Sequence, residues 1–258
     1  MVSSPIVSIV ITTYNSSQTI IETLNSIFKQ TFKEFELLIF DDLSSDNTLD
    51  LIDEYLINCT YEFKIKKSIK NSGGPATGRN WGINNSKGKF ICFLDADDVW
   101  KINKLEKQIK FLENNNFDVL STNAEVLNSK QFKVFSGELN IFRQIVRNKI
   151  ILSSSIVKKD FIEKMKINFN ESKHYVSVED YDFFLRILLN NGKIYVLHEK
   201  LIIYRVLENS ISHIDFISNE RKRLKVLTNL KTKNILINAL VILINIIYRT
   251  KLILWNSK

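Results

Sequence analysis

The sequence predicts an α/β fold, a mixed and mostly parallel sheet flanked by helices, with an amphipathic helical tail after it. Three observations carry this. Over the first 95 residues, β-branched apolar runs alternate with stretches of helical periodicity, a βαβαβαβ rhythm that builds parallel sheets. Three of the runs end in polar clusters, Thr13-Tyr14-Asn15, Asp41-Asp42 and Asp95-Ala96-Asp97-Asp98. Ligands of doubly wound sheets bind beyond the carboxyl ends of the strands, so the clusters share one edge. Finally, the 258 residues are 45% hydrophobic and hold only 7 Gly and 2 Pro, which excludes collagen-like and linker-rich architectures.

Residues 6–12 read as the first strand and Tyr14-Asn15-Ser16-Ser17 as the loop after it. Thr19 followed by Glu22 has the form of a capping box, and Ile20, Leu24, Ile27 and Phe28 then share one helical face. Residues 36–40 form the second strand. Ser45-Asp46 suits the cap of a helix to about 57, with Leu49, Ile52 and Leu56 inward. A short third strand is expected at 63–65, a turn at 71–74, a helix at 76–85 and a buried strand at 89–94. Beyond Trp100 the pattern predicts a helix over 101–114, a strand over 118–122, a helix over 179–190 and short strands over 194–197 and 201–204. We expect three parts: 1–98 and 99–205, two halves of one domain, and 206–258, a basic helical tail.

The formal charge is +8 with a pI near 9.3. Residues 206–258 carry +6 of it and the other four-fifths of the chain only +2. A nearly neutral body with grouped carboxylates argues against nucleic-acid binding. Cys59 and Cys92 cannot make a disulfide framework or a four-ligand zinc site, and are expected to be reduced thiols. His174, His198 and His213 do not have metal-ligand spacing. The first five residues lack a basic stretch and the apolar run 6–11 is too short for a signal peptide, so a cytosolic chain is expected.

Asp95-Ala96-Asp97-Asp98, after a buried strand, projects carboxylates toward one side of a loop. Hard oxygen ligands suit Mg²⁺ or Mn²⁺, which usually also bind substrate phosphates; a solvated acidic turn has the same letters. Asn71-Ser72-Gly73-Gly74-Pro75-Ala76-Thr77-Gly78-Arg79-Asn80 offers glycines for close approach, a helix start for an anion and Arg79 as a charge. It lacks the Gly-Lys-Ser/Thr ending of a Walker loop and reads equally as an ordinary turn. Glu179-Asp180 opens a helix, where carboxylates serve either as dipole-stabilising groups or as a general base.

Taken in order, five segments resemble family 2 glycosyltransferases of the GT-A fold, among them bacterial O-antigen and capsule enzymes. They are Val7 to Asn15, Asp41 to Thr48, Asn71 to Gly82, Gly88 to Asp98, and Glu179-Asp180 with Phe183, Leu185 and Arg186. The resemblance covers about 1–205 and implies a nucleotide-sugar-binding half over 1–98 and an acceptor-binding half of the same domain over 99–205. Thr12 stands where the family often has Pro, and 100–175 is its variable acceptor-facing region. It implies an inverting, metal-dependent transfer from a UDP-sugar to a glycan or a lipid-diphosphate-linked sugar. Thr13 and Tyr14 would line the nucleoside pocket and Asp42 would accept the uracil N3–H. Asn71 and Gly73 would lie in the donor site, with Arg79 near the base or diphosphate. Asp95 would hold the ribose or the metal shell, Asp97 would ligate Mn²⁺ or Mg²⁺, and Asp180 would be the catalytic base, supported by Glu179. Tyr204-Arg205 through His213 resembles a late segment that approaches the diphosphate.

The tail has Arg221-Lys222-Arg223 and Lys225 before an apolar run that Arg249 interrupts, shorter than the roughly 20 residues of a spanning helix. With Tyr248 and Trp255 it fits peripheral contact of 216–258 with the cytoplasmic face of an inner membrane; a core-covering or oligomer-forming helix and a true span are the other readings. Two rival functions remain: a sugar-1-phosphate nucleotidylyltransferase, which should show a Gly-rich loop with a basic residue where Tyr14-Asn15-Ser16-Ser17 stands, and a non-catalytic sugar-nucleotide or glycan-binding module, which should have lost Asp97 or Asp180.

Overall fold

The computed structural model describes residues 4–127, 131, 135–206, 216–230 and 232–256. Four parallel strands form one half of the sheet: β1 (Val7–Thr13), β2 (Phe35–Asp41), β3 (Phe63–Lys67) and β4 (Phe90–Asp95). β1, β2 and β4 are covered on both faces, which is why their sequences are apolar without a break. Alternate residues of β1 serve the two faces. Ile9 and Ile11 pack with Ile20, Leu24 and Ile27 of α1 (Ile20–Phe28) and with Ile52 and Leu56 of α2 (Thr48–Leu56). Val10 packs with Ala76 and Ile83 of α3 (Ala76–Asn85). The approach of α3 depends on glycine: a Cβ at Gly82 would lie 2.3 Å from a Val10 methyl, and one at Gly78 2.7 Å from Phe40 and Thr12 side-chain carbons.

The second half continues the same sheet. β5 is Val99–Trp100, α4 Lys104–Asn114, β6 Val119–Leu127, β7 Gly137–Leu139, α5 Ile141–Val146, β8 Ile156–Lys158, α6 Lys159–Lys164, α7 Glu179–Leu189 and β9 Ile194–Arg205. The strand order is β3-β2-β1-β4-β8-β6-β9-β5, with β7 also on β9. β8 is antiparallel to β4 and β6, while β6 and β9 run parallel.

Several expectations are corrected. The two short strands at 194–197 and 201–204 are one strand, β9, whose pairing with β6 shifts register around Asn123. The helix expected from 101 starts at Lys104, because Val99–Trp100 pairs with β9 and the Lys101 N–H goes to the Leu201 carbonyl. The strand expected to end at 122 runs on to Leu127. The Thr19–Glu22 capping box does not form. Thr19 Oγ1 instead donates to the Ser16 carbonyl at 3.4 Å, and Glu22 pairs with Arg205. Leu49, expected inward, is half-buried, while Ile52 and Leu56 are fully so.

The tail forms α8 (Phe216–Asn229) and α9 (Ile235–Asn256). Ile237 and Ile244 of α9 are buried with Leu224 and Leu227 of α8, Ile145 of α5, and Tyr181 and Leu185 of α7. Ile242, Leu243, Ile246 and Ile247 are exposed on α9. Among the described residues no helix is long and apolar enough to cross a membrane. His213 and the side chains of Tyr248 and Trp255 lie outside the described residues.

Candidate active site

Register alone gathers the polar strand ends, since Thr13 is opposite Asp41 and Thr12 opposite Asp95. The Asp42 N–H donates to the Thr13 carbonyl at 2.9 Å. Asp41 closes its own turn by accepting from the Ser44 N–H and hydroxyl, and Leu43 takes a left-handed φ of 67° there. The Asp42 carboxylate holds the next loop: the Ser72 N–H donates to both its oxygens at 2.9 and 3.1 Å and the Ser72 hydroxyl to one at 2.8 Å. Asn71 serves that loop too, donating Nδ2–H to the Asp42 carbonyl at 3.0 Å and accepting the Gly73 N–H at 2.8 Å. Gly73 sits at φ 80°, the left-handed region that glycine enters freely. Tyr14 stands half exposed above the edge.

Arg79, one turn into α3, is the centre of the arrangement. Its Nη2 meets Asp95 at 2.7 Å and its Nη1 meets Glu179 at 2.6 Å, with the Phe169 ring 5.4 Å from the guanidinium carbon. Arg79 is 4% exposed, and the two carboxylates hold it firmly protonated against burial. The sequence led us to expect this guanidinium near the base or diphosphate; both its amino groups are instead occupied by carboxylates. That fork joins the end of β4 to the start of α7, with Arg79 and Glu179 100 residues apart in the chain.

On the loop after β4, Asp95, Asp97 and Asp98 crowd together. Burial first and the Asp95 charge second push the Asp97 carboxyl up to about 6, with Arg205 and Arg79 pulling the other way. Asp98 is fully buried and is raised well above the usual carboxylate range by burial, Asp97 and Asp95. Its Oδ1 accepts the Arg205 N–H at 3.1 Å. Asp95 and Asp97 offer hard oxygen donors that fit a divalent cation such as Mn²⁺ or Mg²⁺, and a cation relieves the mutual repulsion recorded at Asp97. Among the described residues no cluster of three or more metal-ligating side chains exists. Such a cation would therefore rely on substrate phosphates for further ligands, as Mg²⁺ sites usually do.

Asp180 follows at the start of α7, after Ser177 at φ 76°. Its Oδ2 accepts Asn148 Nδ2–H at 2.9 Å and its Oδ1 the Tyr181 N–H at 2.7 Å. Burial and then Glu179 push the Asp180 carboxyl up to about 7, with Arg79 and these two donors opposing. Four buried polar atoms at this edge lack a hydrogen-bond partner: Thr13 Oγ1, Arg79 Nε, Glu179 Oε2 and Asp98 Oδ2. Buried polar groups are almost always paired, so the concentration here marks a place a polar ligand would complete. Asn148 and Ser72 were not singled out in the sequence. Ser72 lay inside a quoted motif; Asn148, a lone polar residue in a variable region, gave no signal.

The family-model description Glycosyl transferase family 2 matches residues 8–172. The UDP-Glc:alpha-D-GlcNAc-diphosphoundecaprenol beta-1,3-glucosyltransferase WfgD of Escherichia coli is 33% identical over 226 residues, 85% of this chain and 83% of that one. The chain belongs to glycosyl transferase family 2. An uncharacterized glycosyltransferase of Rickettsia conorii is 39% identical over 148 residues, which is 55% of this chain but only 24% of its relative's length. Among solved structures, Staphylococcus aureus TarS 1-349 in complex with UDP-GlcNAc superposes with a TM-score of 0.75 at 26% identity, over 91% of this chain and 70% of the other. The mixed sheet and its flanking helices are thus the GT-A fold.

Proposed function

We propose that this family 2 glycosyltransferase moves a sugar from a UDP-sugar to the hydroxyl of a lipid-diphosphate-linked or polymer-borne glycan, with inversion, in bacterial surface-polysaccharide assembly. The observation that carries it is the Glu179–Arg79–Asp95 fork, which sets the base-bearing helix beside the acidic loop of β4. The names of WfgD and of the UDP-GlcNAc complex of TarS support the donor and acceptor class.

In this reading Thr13, Tyr14 and Asp42 receive the nucleoside. Asp42 retains acceptor capacity for a base N–H, since a carboxylate offers about four lone-pair sites and Ser72 takes three bonds. Asn71 and Gly73 shape the donor loop and Arg79 orients Asp95 and Glu179. Asp95 and Asp97 would hold Mn²⁺ or Mg²⁺, which supplies Lewis-acid compensation for charge on the departing diphosphate, worth several kcal/mol. Asp180 Oδ takes the proton from the acceptor hydroxyl as that oxygen attacks the anomeric carbon opposite the leaving nucleotide. A base near pH 7 is matched to this task, and such catalysis is typically worth ~10²–10⁴-fold. The exposed apolar residues of α9 and the exposed Arg221 and Lys225 of α8 support contact of the tail with the cytoplasmic surface of an anionic membrane, while Arg223 is turned into the fold. Removal of 216–258 is expected to abolish co-sedimentation with anionic liposomes.

The test is thermal unfolding with UDP, GDP and dTDP, with and without Mn²⁺, on wild type and Asp97→Ala. Ligands that bind only the native state raise its apparent stability. A Mn²⁺-dependent UDP shift lost in Asp97→Ala is expected. No shift with any nucleotide in a folded sample overturns the donor site.

A further inference from the structure

The hydrogen bond from Asn148 to Asp180 spans 32 residues and its direction is fixed by neighbours. Asn148 Oδ1 accepts the Ile150 N–H at 3.2 Å and Gln144 Nε2–H at 2.8 Å. A backbone N–H can only donate, so the oxygen of the amide points to Ile150 and Nδ2 is left for Asp180. Gln144 is fixed in the same manner: it is fully buried and its Oε1 accepts the Lys149 N–H at 3.0 Å. The chain of donors thus ends on the carboxylate with one polarity.

The tail grips the segment that presents Asn148. Arg223 of α8, 7% exposed, donates Nη1–H to the carbonyls of Ile145 and Val146 at 3.1 and 3.2 Å, at the end of α5. The Tyr181 hydroxyl, from the residue after Asp180, donates to the same Ile145 carbonyl at 2.7 Å. The Arg223 guanidinium also lies 5.9 Å from the Tyr181 ring centre. Arg223 therefore meets both the strap that carries Asn148 and the neighbour of Asp180.

We propose that Asn148 is a positioning residue that fixes the plane of the Asp180 carboxylate and favours its ionised form, and that α8 holds Asn148 in place through Arg223. The proposal rests on the reading of Asp180 as the base. A hydrogen bond donated to a carboxylate stabilises its charge, and here it works against burial. The charged groups around Asp180 are Glu179 on its own helix and Arg79 from α3. Lys222 and Arg223 of α8 pack behind, at the Val176 carbonyl and the Tyr181 ring, with Glu220 paired to Arg223. None of these replaces the donor that Asn148 supplies.

The test titrates the full chain labelled with carboxyl-¹³C aspartate, using Asp180→Asn to assign the signal. In parallel, UDP release from UDP-glucose and UDP-GlcNAc is followed against pH with a GlcNAc-diphospho-lipid acceptor. Asn148→Ala is expected to raise the Asp180 midpoint by about one pH unit. It should lower kcat at pH 7 about fivefold with KM for the sugar nucleotide within twofold, and recover toward wild type at high pH. Asn148→Asp, close to isosteric, replaces the donor with a second carboxylate and should raise the midpoint further. Arg223→Met should move it the same way by less. An unchanged midpoint in folded Asn148→Ala and Asn148→Asp overturns the proposal, and with Asp180→Asn inactive it leaves the base reading standing. Full activity of Asp180→Asn removes the base, and the role of Asn148 in the reaction with it.

Discussion

Arg79 shows how one residue couples two motifs that are far apart in sequence. Both of its amino groups are committed, and the Glu179 carboxylate it holds is almost fully buried with one oxygen unpaired. Arg79→Met should cost about 3–5 kcal/mol, because removing one partner of a buried ion pair strands the other charge. Thermal unfolding should show the loss, and the UDP shift should disappear with it. Arg79→Lys should fail to restore the shift, since a single ammonium cannot bridge two carboxylates as a fork does. The Asp180 carboxyl, raised to about 7, predicts that kcat/KM climbs with pH along an acid limb with a midpoint near 7. Asp180→Asn should reduce turnover ~10²–10⁴-fold. At this scale the residue types at the strand ends were readable from sequence, while their partners were not. The pairing of Arg79 with Glu179 spans 100 residues and that of Asp180 with Asn148 spans 32, and no local periodicity encodes either.

Whole elements were legible where length made periodicity audible. β1, β2, β4, α1 and α7 fall within a residue or two of where alternation and helical spacing place them, because each buries a long apolar face; α3 also falls where expected, though it buries Gly78, Arg79, Asn80 and Gly82 in place of an apolar stripe. β5, β7 and β8, of two or three residues, were not anticipated: so short a strand is defined by its neighbours' hydrogen bonds rather than by its own sequence. The capping box failed for a related reason, since Glu22 finds a cation from β9 in place of the local backbone. The seating of α3 carries a prediction. Gly82→Ala puts a methyl 2.3 Å from Val10 Cγ1, deep between helix and sheet, and should destabilise by about 1–3 kcal/mol in denaturant unfolding. Because α3 also carries Arg79, the UDP shift should weaken in the same variant. Gly88→Ala tests the argument elsewhere: its Cβ would meet backbone atoms of Val7 and Ser8, outside α3, so it should lose stability without acting through the Arg79 fork.

Among the described residues, buried ionisable groups oppose one another in pH: carboxyls such as Asp180, Asp97 and Asp98 are raised, and Lys104 is lowered. Asp180 titrates near 7 in the folded chain, against about 3.9 when unfolded. The folded state keeps a proton the unfolded state has released, so this contribution is full below about pH 4 and is lost as pH rises to 7. Lys104 behaves in the other sense. It is fully buried, with Nζ 2.8 Å from Gln108 Oε1 and 3.8 Å from the Trp100 ring centre, and burial brings it down to about 8. Below pH 8 the fold must shelter a charge that has no carboxylate among these contacts. Between 8 and about 10.4 the unfolded lysine is still protonated while the folded one is neutral, so stability rises with pH. Burial also pushes the Cys92 thiol up to about 11, a loss over much of the same range, so denaturant unfolding should show stability falling to about pH 7 and levelling off above 8. Asp180→Asn should make the falling limb shallower without removing it, because Asp97 and Asp98 are raised in the same sense. Lys104→Met, which keeps the volume and removes the charge, should turn the alkaline plateau into a continued fall and stabilise the protein at neutral pH, because a buried charge replaced by a packed apolar chain is often a net gain. A Lys104→Met curve that keeps the wild-type plateau would show that Lys104 is not the group that offsets Cys92, and would shift the alkaline gain to relief of the +8 net charge.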